Sequence, residues 1–217
     1  MIHLLSPLDY EQHKDLCFHE EEAPSPAFAP ISLAEAKEVA KHAPVVFRER
    51  DKALIALLGL DNNLMMKEPL PRILSLYPFA AIELGGKSMI AIDEGALQFK
   101  GPGEPLFRAN GEQSELLQQK VQEVIAYAKD MAATRAASAL LGEFFIPHEL
   151  VVNKDDGEQS TLIKGFCVLD MQEVKRLPDS VIADFYRRGY LDALKACELS
   201  LALLDTLGER ILASCKA

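Results

Sequence analysis

No apolar run in this chain is long enough to cross a bilayer. The most apolar late stretch, Leu199-Ser200-Leu201-Ala202-Leu203-Leu204, is closed by Glu198 and Asp205, whereas a spanning helix needs about 20 such residues. The opening residues, Met1 to Asp9, carry neither a basic n-region nor a long apolar h-region, so they do not read as a signal peptide. A cytoplasmic protein without a membrane span is expected. Runs of basic residues are also missing, and the net charge is −10. An acidic chain repels the phosphates that Lys and Arg would have to contact. Nucleic acid is therefore not an expected partner, and anionic membrane surfaces are disfavoured. The four cysteines, Cys17, Cys167, Cys197 and Cys215, stand far apart with no C-x-x-C. That spacing predicts reduced, mostly buried thiols.

Catalytic signatures are lacking too. Gly85-Gly86 and Gly101-Pro102-Gly103 fit neither the G-x-x-x-x-G-K-[ST] nor the G-x-G-x-x-G phosphate loop, and neither G-x-S-x-G nor H-E-x-x-H occurs. His13, Cys17, His19 and Glu20 form the densest set of potential ligands. On a helix His13 and Cys17 share a face; on a strand Cys17 and His19 do. No single element unites them, so no metal and no cofactor is expected.

What is present is enough for a sizeable core: 49% of the 217 residues are apolar and 26% charged. Glu20-Glu21-Glu22-Ala23-Pro24-Ser25-Pro26 reads as an exposed loop. Ser32-Leu33-Ala34-Glu35 is a capping-box pattern that opens a helix to about His42. Val45-Val46-Phe47 and Leu54 to Leu58 read as strands around a charged turn. The runs Phe79 to Leu84 and Ser88 to Ile92 flank Gly85-Gly86, whose permitted positive φ angles suit a tight hairpin.

Helical composition runs from Gly111 to Glu143, with Asn110 as its expected N-cap. Its apolar stripe is Leu117, Val121, Val124, Ile125, Ala128, Met131 and Ala132. Thr134-Arg135 interrupts the stripe, and Pro147 closes the segment. Thr161 to Leu169 reads as a late strand. Asp170-Met171-Gln172-Glu173 opens a short helix, Asp179 caps the next, and Gly189 suits its left-handed end. A last helix is expected from Leu191 to Ala213. Leu191, Leu194, Leu201, Leu204, Leu207 and Ile211 line one stripe there, while Leu199 and Leu203 fall off it. A helix apolar on two sides must be covered on both. The C-terminal helices are therefore expected to provide the main partner or self-association surface, with complete internal burial as the alternative.

The fold class is α+β: a mostly antiparallel sheet in the N-terminal half packed against a helical C-terminal half. One domain over 1–217 is expected, sheet-rich over 1–109 and mainly helical over 110–217, with a strand near 161–169.

Short blocks occur in a fixed order along this frame. They include Pro44-Val45-Val46-Phe47, Ala56-Leu57-Leu58-Gly59-Leu60 and Asn63-Leu64-Met65. Tyr77-Pro78-Phe79, Asp93-Glu94, Pro105-Leu106-Phe107 and Gly111-Glu112 follow. Gly165-Phe166, Leu169-Asp170, Leu177-Pro178-Asp179 and Arg188-Gly189-Tyr190-Leu191 complete the series. In this order the chain resembles the SapC family of bacterial proteins, linked by name to surface-layer export. It departs from the family in having no Trp, in carrying Ser75-Leu76 where relatives often have a basic pair, and in a short segment from Lys67 to Ser75.

The resemblance implies a soluble accessory or binding protein acting on a protein or peptide partner, or on a second copy of itself, in surface-layer, export or uptake pathways. His13, Tyr77, Phe79, Asp93, Glu94 and Glu112 are the binding candidates. For Tyr77-Pro78-Phe79 the choice lies between a ligand-binding aromatic wall and an edge-strand entry into the core. The alternative is a small-molecule enzyme whose acid–base site gathers Asp93, Glu94 and His13.

Overall fold

A computed structural model of the chain describes residues 5–21, 26–60, 63–64, 70–153 and 159–215. The loop expected over 20–26 and the segment from Lys67 fall partly outside these residues. In chain order the elements are β1 (Leu5–Pro7), α1 (Tyr10–His13), β2 (Cys17–Phe18), β3 (Phe28–Pro30), α2 (Leu33–Val39), β4 (Val45–Arg48), β5 (Leu54–Leu57), β6 (Gly59–Leu60) and β7 (Asn63–Leu64). Then follow α3 (Arg72–Leu76), β8 (Phe79–Leu84), β9 (Lys87–Asp93), β10 (Glu104–Pro105), α4 (Glu115–Leu141), β11 (Phe145–Asn153), β12 (Gln159–Leu169), α5 (Asp179–Arg187), α6 (Tyr190–Ser200) and α7 (Leu203–Cys215). The class is α+β, and every strand pairing among the described residues is antiparallel.

The chain clusters into two units, each built from two stretches: Met1–Pro24 with Ile73–Lys129, and Ser25–Arg72 with Asp130–Ala217. In the first, β9 is the centre of a sheet ordered β1-β9-β8. The β8–β9 hairpin turns on Gly85 (φ 58°) and Gly86 (φ 76°), both in the left-handed region that glycine enters without a steric penalty. Phe18, Phe79 and Phe99 pack with ring centroids 5.7–6.3 Å apart, and Lys120 of α4 lies over the Phe18 ring. Phe79 is thus a core residue.

The second unit holds a five-stranded sheet, ordered β11-β12-β4-β5-β3. Alternation along β4 and β5 sends Val46, Ile55 and Leu57 to one face, where Leu204, Leu207 and Ile211 of α7 cover them. Val45 and Phe47 point to the other face, beside Leu194 and Cys197 of α6. The single helix expected over 191–213 is therefore two. Ser200 explains the break. Its hydroxyl donates to the Cys197 carbonyl (2.6 Å) and accepts from the Val45 amide (2.9 Å). Back-bonding of this kind bends helices, and Leu201 and Ala202 continue with tightened bonds to Glu198 and Leu199. A helix that would have been apolar on two sides becomes two helices serving two faces of one sheet. Leu203 is half-buried, while Leu199 stays 66% exposed.

Three further expectations need correction. Ser114, not Asn110, caps α4: its hydroxyl accepts from Leu117 N, while Asn110 is held in a turn by Glu112. The buried stripe of α4 runs through Leu117, Val124, Tyr127, Thr134, Ala137 and Leu141, and Ile125 is 49% exposed. Thr134 belongs to the buried face because its hydroxyl donates to Asp130 O and accepts from Leu33 N, capping α2. Finally, β11 begins at Phe145 and carries Pro147 within it, where the sequence pattern predicts only the end of the helical segment. As an edge strand it tolerates the proline.

Candidate functional site

The sequence-derived candidates gather in the first unit, at the junction of α1 with the end of β9. Asp9 starts α1 by accepting from the Gln12 amide (3.2 Å). One turn later His13 donates its own amide to Asp9 O. Its ring then folds back, with Nδ1 2.9 Å from both the amide and the carbonyl of Asp9. With the Asp9 amide donating to Nδ1, the ring proton sits on Nε2, which donates to Glu94 Oε1 at 3.1 Å. His13 is buried at 1% exposure, whereas the Glu94 side chain is 52% exposed. The hydrogen bond from Ser6, then that from His13, holds the Glu94 carboxyl below the usual carboxylate range.

Asp93 turns the other way. It is 2% exposed. Its Oδ2 accepts from the Tyr77 hydroxyl (2.6 Å) and its Oδ1 from the Gly95 amide (3.0 Å). Burial, reinforced by the Asp93 carboxylate, pushes the Tyr77 phenol well up. Glu112 lies in an exposed turn, where its carboxylate accepts from Asn110 Nδ2 and its carbonyl from the Arg108 amide.

The structure thus joins His13 to Glu94 and Asp93 to Tyr77, and places Phe79 in the aromatic core. Ser6 and Asp9, which complete the arrangement, escaped sequence reading. The Asp9–His13 spacing of four residues was the available signal, since it stacks the two on one helical face. Chemically, both nitrogens of His13 and both oxygens of Asp93 are engaged inside the fold. The group that faces solvent is Glu94, an ionised carboxylate suited to accept hydrogen bonds from a cation or an amide.

Elsewhere, Cys17, Cys167 and Cys197 are free thiols. Burial raises the Cys167 thiol, against the opposing pull of Lys52 Nζ at 3.6 Å, and pushes Cys197 up to about 12. Neither is a thiolate at neutral pH, so neither is an activated nucleophile. Among the described residues no three His, Cys, Asp or Glu side chains are grouped as metal ligands, and no helix is long and apolar enough to cross a membrane. In the second unit, a shallow depression of about 380 Å³ is lined by Phe28, Arg48, Glu49, Arg50 and Gly165. Its Arg48 guanidinium is already committed to Asp51 through two hydrogen bonds.

The family model described as SapC aligns with residues 8–207. No curated protein and no solved structure matches the chain.

Proposed function

Because the chain belongs to the SapC family, we propose that it works as an accessory protein that binds a peptide or protein partner, in the surface, export or uptake pathways the family name suggests, and not as a catalyst. The observation that carries this reading is the internal satisfaction of the candidate acid–base groups. A general base needs a free lone pair within reach of a substrate proton. His13 has spent Nδ1 on Asp9 and Nε2 on Glu94. Asp93 is buried against Tyr77 and Gly95. Glu94 is solvent-facing, but a carboxylate held below its usual range is a weak base. The set reads as a brace fixing α1 to the end of β9, and binding falls to the surfaces the brace supports.

The test uses the full chain as immobilised bait in a lysate of its native host, followed by reconstitution with purified components. The expected result is a retained polypeptide that forms a defined complex with the chain in sedimentation. The reading falls if no polypeptide forms a defined complex. It also falls if the purified chain turns over a small molecule and His13→Gln or Glu94→Gln abolishes that turnover without loss of fold.

A further inference from the structure

Strand β8 is an edge of the β1-β9-β8 sheet. The amide of Asp93 donates to Pro78 O at 3.0 Å, and in the β8–β9 register residue 78 lies opposite 93. Hydrogen-bonded pairs alternate with unbonded ones along an antiparallel ladder. Ala80, Ile82 and Leu84 therefore bond inward to Ala91, Met89 and Lys87. The amides and carbonyls of Ala81 and Glu83 point outward. Among the described residues β8 pairs with β9 and no other strand, and Ala81 and Glu83 are exposed.

Proteins usually protect such an edge with proline, lysine, a bulge or extreme shortness. The other edges here do so. Strands β1 and β3 have three residues each, ending in Pro7 and Pro30. Strand β11 contains Pro147 and register shifts between His148 and Val151. Strand β8 has six residues, no proline, no lysine and an unbroken register. One face of its hairpin also carries Ile82 directly opposite Met89, with Leu84 beyond them. Met89 is 37% and Leu84 56% exposed. Open main-chain groups beside apolar side chains at alternate positions are what strand addition uses.

Charge selects the occupant. The two stretches of this unit, Met1–Pro24 and Ile73–Lys129, hold thirteen Asp and Glu against six Lys and Arg. Seven of the chain's ten excess negative charges are therefore here. Glu83 sits on the edge itself. A second copy would bring the same acidic excess, whereas a basic segment is attracted. We infer that β8 takes up an extended segment of a partner polypeptide, apolar at alternate positions and flanked by Lys or Arg, as an added strand. This rests on the reading of the chain as a binding protein.

Three labelled peptides test it by fluorescence anisotropy: a Val-Thr-Val-Thr-Val core flanked by lysines, the same core flanked by glutamates, and the lysine version with a central proline. The lysine-flanked peptide is expected to bind, to weaken on the order of tenfold when salt screens the charges, and to slow hydrogen exchange at Ala81 and Glu83. The other two are expected to bind far less. Ala81→Pro removes an outward amide without touching the β8–β9 ladder, so it should abolish binding while circular dichroism and Tm stay unchanged. Should that variant misfold, Glu83→Lys serves instead and is expected to shift preference toward the glutamate-flanked peptide. The inference is overturned by absence of binding to the folded wild-type chain, by equal binding of both flanked peptides, or by protection at β3 or β11 instead. Self-association lost in Ala81→Pro also overturns it, because the edge then serves a second copy. A native partner retained equally by wild type and Ala81→Pro defeats the β8 assignment but leaves the binding-protein reading standing.

Discussion

His13 is a polar residue that the fold has closed around, and its replacement should be felt as loss of structure. Truncating it to Ala removes a buried ring and two hydrogen bonds. The expected cost is about 2–3 kcal/mol in urea denaturation. Glu94 adds a pH signature. Its folded-state pKa is depressed by Ser6 and His13. The resulting stability is complete above the unfolded value near 4.5 and is lost as pH falls through the depressed value. Glu94→Gln should therefore lower stability at about pH 7 and lower it progressively less as pH falls below the usual carboxylate range; a loss that does not shrink with falling pH would contradict this origin. Tyr77→Phe leaves a buried oxygen of Asp93 without its hydroxyl donor and should cost about 1–3 kcal/mol. At this scale the sequence marked His13 and Asp93-Glu94 as polar residues worth explaining. Beyond the local Asp9–His13 spacing, it could not show that their partners were Ser6 and Tyr77. Hydrogen bonds from residue 13 to residue 94, or a choice between facing solvent and facing a phenol, depend on tertiary placement that periodicity does not encode.

The hairpin turn shows the opposite case, where an element was legible because its requirement is local. Two adjacent positive φ angles strongly favour glycine whatever surrounds them. Nothing lies within 4 Å of a Cβ built at Gly85 or Gly86, so substitution there meets no packing clash. Replacing both with Val should still lower stability by about 2 kcal/mol through backbone strain alone. An unchanged Tm in the double variant would refute the turn. The break between α6 and α7 was hidden for the complementary reason. Leucine spacing from 191 to 211 is continuous, and only the carbonyl and amide that Ser200 engages reveal the interruption. Ser200→Ala leaves the buried Val45 amide without its acceptor and should cost about 1–3 kcal/mol. Strand β11 escaped notice because proline normally argues against a strand, and an edge position, which excuses it, is a property of the assembled sheet.

At the scale of the molecule, the order in which the chain is made differs from the order in which its units close. Strand β1 emerges from the ribosome first, yet its partner β9 is made more than eighty residues later. Strands β4 and β5 can pair early, but β4 waits for β12, whose Cys167 donates to Phe47 O across 120 positions of sequence. Helix α4 begins in one unit and ends in the other, since the division falls after Lys129. A nascent chain released at that residue already carries both stretches of the first unit, while β4 still presents an unpaired flank. Pulse-labelled hydrogen exchange on stalled chains should find β9 protected before the flank of β4 that faces β12. Until β12 arrives, Val46 and Phe47 stand on a strand with one open side. Synthesis of this protein therefore includes an interval in which the apolar edge of β4 is exposed, and a factor that shields nascent strands would act there.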